Sequence, residues 1–186
     1  LGKQNRTLWG TGVMHDKLLG CTFEIGPSSF YQTNPEQTEL LYQQALDAAD
    51  LEGGMSVLDA YCGTGTIGIC AAAANSGVEV TGVERVASAV RCAERNARAN
   101  GVAERCDFVA ADATEWMSRK AGERRFDVVL MDPPRAGSTP EFLHGARGLC
   151  QLQRPDAGAR PRGSSWPRLP AAQRGTRGHV PPHQAR

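Results

Sequence analysis

The run Val57-Leu58-Asp59-Ala60-Tyr61-Cys62-Gly63-Thr64-Gly65-Thr66-Ile67-Gly68 constrains this chain more than any other stretch. Small apolar residues lead to an acid, a glycine-rich turn follows, and an alanine-rich run from Ile67 to Ala74 has helical composition. Strand, loop and helix in that order bring backbone N–H groups and a helix N-terminus to the carboxyl edge of a sheet, where nucleotide-like ligands bind. Gly63, Gly65 and Gly68 fit the G-x-G-x-x-G dinucleotide pattern, and Glu84 closes a second strand-like run, Glu79–Glu84, at the expected spacing. An NAD(P)-dependent oxidoreductase is therefore one reading. Asp59 favours another. In a dinucleotide site the turn cradles a pyrophosphate, and an acid at the strand end opposes its charge. An acid suits a ligand that is positive near the loop, such as a sulfonium bearing an amino group. Glu84 would then grip two ribose hydroxyls as a bidentate acceptor.

The 186 residues suffice for one domain with its own core. Charge is unevenly spread. Residues 1–146 hold 13 Lys and Arg against 19 Asp and Glu, a net of −6, whereas 147–186 hold 8 Arg against one acid, a net of +7. The six cysteines, at 21, 62, 70, 92, 106 and 150, form no C-x-x-C pair. That spacing fits reduced thiols in a cytoplasmic protein, with neither a disulfide frame nor a metal site. No apolar run reaches membrane length and no signal sequence opens the chain, so no membrane partner is expected. Leu1 in place of Met suggests a start inside a larger protein.

In chain order, residues 1–31 read as a β-rich lead-in. Leu8-Trp9-Gly10 and Thr22–Ile25 are β-prone, and His15-Asp16-Lys17 reads as a turn. A polar and aromatic loop, Gly26–Asn34, follows. Asn34 caps a helix with Pro35 in its first turn, and Leu41, Ala45 and Ala48 mark the expected buried face. Val86, Ala89, Val90, Ala93 and Ala97 form a second helical stripe that stops at Asn100-Gly101. Asp107–Ala110 reads as a third strand. Asp112 after it is either an acceptor for an adenine amine or a helix cap. Phe126–Met131 reads as a fourth strand, ending in Asp132-Pro133-Pro134-Arg135. Four strand–loop units delivering polar groups to one edge imply an α/β fold with a mostly parallel, Rossmann-like sheet.

Together I-G-P-S-S-F-Y-Q-T-N-P-E-Q-T-E, L-D-A-Y-C-G-T-G-T-I-G, G-V-E and M-D-P-P-R-A-G-S-T resemble the RNA (uracil-5-)-methyltransferases over about residues 8–146. The central loop alone resembles the cofactor site of class I S-adenosylmethionine-dependent methyltransferases. The pairing of F-Y-Q-T-N-P with D-P-P-R narrows the likeness, because amino-methylating enzymes place an aromatic where Arg135 stands. The resemblance implies S-adenosylmethionine as cofactor, bound through Gln32, Tyr61, Glu84 and Asp132. It implies an RNA substrate, 23S rRNA ahead of tRNA, with the target base flipped from its stack. C5 of uracil is a poor nucleophile, and the family overcomes this by adding a cysteine thiolate to C6 and later removing the C5 proton with a glutamate.

That cysteine belongs to an S-C-N motif after D-P-P-R, and this sequence contains no S-C-N. No catalytic residue is therefore assigned. From about Arg147 the chain turns rich in Arg, Pro and Gly and loses all periodicity, a disordered composition. Codons allowed for Cys150–Arg160, read one base later, give V-S-C-N-V-Q-T-L-A-R, so a shifted frame is expected in place of a basic RNA-binding tail. The resulting division is a lead-in at 1–31, an incomplete S-adenosylmethionine-binding domain at 32–146 and a non-family tail at 147–186. The chain itself is expected to be inactive. A non-catalytic RNA-binding module built on the basic tail is the remaining alternative.

Overall fold

The computed structural model describes residues 6–27, 29–120, 125–134 and 137–149, all within one unit spanning Leu1–Leu152. Four parallel strands form its sheet: β3 (Ser56–Ala60), β4 (Glu79–Glu84), β5 (Cys106–Ala110) and β6 (Val128–Met131), ordered β5-β4-β3-β6. An N-terminal hairpin, β1 (Met14–Leu18) and β2 (Cys21–Ile25), pairs only with itself among the described residues. The helices are α1 (Pro35–Ala49), α2 (Thr66–Ala74), α3 (Ala87–Ala99), α4 (Ala113–Lys120) and α5 (Pro140–Leu149).

Central strands of a parallel sheet lie between two layers and are apolar on both faces. Here Val57, Leu58, Val80 and Val83 are all buried. One cluster joins Val57, Val80, Ile69 and Ala72 to the hairpin residues Leu18, Cys21 and Phe23, and a second gathers Leu58, Val83, Met117, Phe126 and Phe142. In register, Asp59 lies beside Gly82 and Leu130, so β3, β4 and β6 end together at one edge. The chain reverses there from β3 to β4 on one side and to β6 on the other, a switch point that opens a crevice.

Several sequence expectations need correction. Residues 15–17 lie within β1, and the turn is the two-residue loop Leu19-Gly20, with φ of 48° and 79°. Such a positive pair is the turn whose twist suits a hairpin. Leu8-Trp9-Gly10 forms bends, with Trp9 93% exposed, and no strand among the described residues pairs with it. The buried face of α1 is also shifted: Thr38 and Tyr42 are buried and Leu46 and Ala49 pack on the core, while Leu41 is 58% exposed. Tyr42 turns its face inward because its hydroxyl meets Thr66 Oγ1 at 3.2 Å. The caps are as expected: Asn34 Oδ1 accepts from Gln37 N at 3.2 Å, and α3 ends at Asn100 before Gly101 at φ 70°.

A feature not foreseen in the sequence ties the hairpin to the domain. From α3, the Asn96 amide accepts from Glu24 N (2.7 Å) and donates to Glu24 O (3.1 Å). Asn100 repeats the pattern on Thr22, at 2.9 and 2.8 Å. Four residues of helix rise about 6 Å, and two residues of strand about 6.8 Å. The two amides therefore match alternate residues of β2 and satisfy its free edge as a neighbouring strand would.

Candidate cofactor site

The glycine loop is shaped by what surrounds it. Gly63 (φ 56°) and Gly65 (φ 80°) adopt left-handed backbone, and a Cβ at Gly63 would meet nothing within 4 Å. Its main chain is thus open to a ligand. Gly68 is different. A Cβ there would lie 2.7 Å from Asp59 Oδ2 and 2.8 Å from Val80 Cγ1, so only glycine lets α2 sit this close to the sheet. Asn96 Nδ2 also donates to Thr64 O at 3.1 Å, which fastens the loop to α3.

Asp59 is 1% exposed and accepts from Gly68 N at 3.0 Å. Burial pushes its carboxyl up to about 7; the Gly68 bond opposes the rise and the charges of Asp132 and Glu84 add to it. Glu84 is oriented by two backbone donors, Gly63 N to Oε2 (3.2 Å) and Val86 N to Oε1 (2.8 Å). Each carboxylate oxygen keeps a second lone pair for a ligand hydroxyl. Tyr61 holds φ 63°, uncommon for a bulky residue, and its ring lies 5.3 Å from that of the fully buried Phe142 in α5. Strain of this kind persists where surrounding packing fixes it. Gln32 and Asp132 are a hundred positions apart, yet Gln32 Nε2 donates to Asp132 Oδ2 at 2.9 Å.

A cavity of about 900 Å³ contains Gln32, Tyr61, Glu84 and Asp132, the four residues expected at the cofactor. Its wall adds Asp59, Asp112 and Cys62. Asp112 also caps α4, accepting from Thr114 N (2.9 Å) and Glu115 N (3.2 Å). Among the described residues, four carboxylates therefore face one basic wall residue, Arg85. Such a lining repels a pyrophosphate and suits a cationic ligand with ribose hydroxyls, against the dinucleotide reading of the glycine pattern. Cys62 is a poor nucleophile, because burial foremost, and then the charges of Asp59 and Glu84, push its thiol well above the ordinary range. Arg135, Cys150 and the frame-shift segment lie outside the described residues.

Comparison with known proteins agrees with this geometry. A methyltransferase domain family model matches residues 51–154. An uncharacterized RNA methyltransferase of Lactiplantibacillus plantarum is 43% identical over 147 residues, covering 78% of this chain and 32% of that protein. One from Listeria monocytogenes is 44% identical over 144 residues, covering 76% and 31%. The chain thus spans about a third of the length of the curated relatives it matches. Among solved structures, the tRNA (uracil-54, C5)-methyltransferase of Pyrococcus abyssi, in complex with S-adenosyl-L-homocysteine, superposes with a TM-score of 0.61 at 32% identity, covering 76% of this chain and 33% of that one. S-adenosyl-L-homocysteine is the demethylated form of S-adenosylmethionine, the cofactor expected from the acid-lined loop. Because the family model matches more than half of its residues, this chain belongs to the methyltransferase domain family.

Proposed function

We propose that this chain carries the S-adenosylmethionine site of an RNA methyltransferase that acts on C5 of uridine. The observation that carries the reading is the acid-lined cavity, in which Gln32, Tyr61, Glu84 and Asp132 converge from four separate segments. Glu84, pre-oriented by Gly63 N and Val86 N, binds the ribose hydroxyls. Tyr61 packs beside the cofactor, and Gln32 and Asp132 close the cavity from opposite sides. The bound cofactor supplies an electrophilic methyl group on a positive sulfur. The acidic wall keeps that charge where the target base arrives.

Uridine C5 as the acceptor is supported by the F-Y-Q-T-N-P and D-P-P-R motifs and by the likeness to the Pyrococcus enzyme, a tRNA methyltransferase. The substrate is RNA, ribosomal or transfer. The 186-residue chain itself binds cofactor with little methyl transfer, since the sequence lacks S-C-N and Cys62 is held protonated. Nucleoside mass spectrometry of rRNA and tRNA incubated with the chain and methyl-labelled S-adenosylmethionine tests this. No label, or a trace in 5-methyluridine, is the expected result. Label in adenosine, guanosine or cytidine would contradict the uridine reading, and turnover at ordinary enzymatic rates would contradict the lack of a nucleophile.

A further inference from the structure

Methyl transfer changes the charge of the cofactor and little else. S-adenosylmethionine carries a fixed positive charge at sulfur; S-adenosylhomocysteine is neutral there, with the same adenosine and amino-acid groups. A site that binds both equally is inhibited by its own product. The cavity holds a feature suited to separating them. Glu84 and Gln32 contact other groups of the chain and are placed for parts common to both ligands, whereas Asp59 lies on the cavity wall, almost wholly buried, and among the described residues its carboxylate accepts one hydrogen bond, from Gly68 N. We propose that Asp59 is the residue by which this site distinguishes the charged cofactor from its neutral product. It acts through its charge, as a specificity determinant beneath the loop. The proposal rests on the cofactor reading above.

The groups that face Asp59 are Glu84 at the end of β4, Asp132 after β6, Tyr42 on α1, and the thiols of Cys62, Cys70 and Cys106, with Asp112 and Arg85 on the same cavity wall. Burial holds Tyr42 at about 12, Cys106 at about 12 and Cys62 well up, and contact with Cys21 raises Cys70, so all four stay neutral near pH 7. Asp59 is brought to about 7 by burial and by the charges of Asp132 and Glu84. Below that value it is mostly neutral and has nothing to offer a cation. Above it the carboxylate is ionised and attracts the sulfonium. Preference for the charged cofactor therefore rises with pH, and binding the charged cofactor near pH 7 expels part of a proton from Asp59.

Calorimetric titration of the chain with S-adenosylmethionine and with S-adenosylhomocysteine, at pH 6 and pH 8, tests the proposal. The ratio of the two affinities is expected to rise about tenfold in favour of S-adenosylmethionine from pH 6 to pH 8, and to stay flat in Asp59→Asn, whose amide oxygen still accepts from Gly68 N. Titrations at pH 7 in buffers of differing ionisation enthalpy count protons on the unmodified chain, so the test survives a variant that does not fold. Release of a fraction of a proton with the charged ligand and none with the neutral one is the expected result. A pH-independent ratio, or the same proton count for both ligands, would overturn the proposal. An equal rise in a folded Asp59→Asn would assign the effect elsewhere and overturn it as well. Failure of both ligands to bind at either pH would instead overturn the cofactor reading beneath it.

Discussion

Replacing Asn96 with alanine removes a side chain that joins the hairpin, the glycine loop and α3 together, while Asn100 and Arg95 still tie α3 to the hairpin. Asn96 is 1% exposed, and its amide makes three hydrogen bonds: to Glu24 N, to Glu24 O and to Thr64 O. Alanine cannot replace any of them, and it leaves a backbone donor and two carbonyls without partners in surroundings that admit little water. An unsatisfied buried group costs about 1–3 kcal/mol. Counting the more accessible Glu24 groups at the low end, Asn96→Ala should lose about 3 kcal/mol. Asn100→Ala removes two backbone contacts at Thr22 that lie at the surface, where water takes over, and a bond to Asn96 O. It should lose about 1 kcal/mol. Urea unfolding followed by circular dichroism reads both. With a slope of about 2 kcal/mol/M, Asn96→Ala lowers the midpoint by about 1.5 M and Asn100→Ala by about 0.5 M. Equal shifts for the two variants, or a loss under 1 kcal/mol for Asn96→Ala, would refute the claim that this amide serves as a surrogate strand for β2.

Other consequences can be measured alongside. Gly68→Ala forces a methyl against Asp59 Oδ2 and Val80 Cγ1, and such overpacking costs about 1–3 kcal/mol; a lowered unfolding midpoint together with weakened cofactor binding is expected. Asp59 binds its proton more tightly folded than unfolded, at about 7 against 3.8, so its cost is absent below pH 4, grows from pH 4 to 7 and is complete above 7. Asp59→Asn should therefore stabilise the fold at pH 8, by up to about 4 kcal/mol, with the gain vanishing near pH 4; denaturation at the two pH values measures it. Tyr42→Phe leaves Thr66 without its hydroxyl partner and should cost about 1 kcal/mol in the same unfolding assay.

What the sequence made legible was local. The glycine loop, the strands that end at Asp59 and Glu84, the Asn34 cap and the Asn100-Gly101 stop each depend on residues within a few positions of one another. Tyr61, Glu84 and Asp132 meet in one cavity because parallel strands must end at a common edge, and Gln32 joins them from the loop before α1 through its bond to Asp132. What escaped was non-local. The Asn96 and Asn100 clips join positions more than seventy apart, and nothing in the helical period marks a buried asparagine as a strand substitute. The slipped face of α1 follows from Tyr42 reaching Thr66, an amphipathic side chain that apolar counting passes over in favour of Leu41. The misplaced hairpin turn has a similar cause. His15-Asp16-Lys17 is polar because it lies on the outer strand of a two-stranded ribbon, while the true turn begins with a leucine in a conformation leucine rarely adopts. By sequence alone Asp59 is a ligand-side acid. Its placement beneath the loop, bonded to Gly68 N, became visible only with the fold.

Cofactor binding underlies every role given to this cavity. Isothermal titration of the folded chain with S-adenosylmethionine should give saturable one-site binding that weakens at least tenfold in Glu84→Ala and in Asp132→Ala, with no heat from NAD. A folded chain that ignores S-adenosylmethionine, or that prefers NAD, would contradict it.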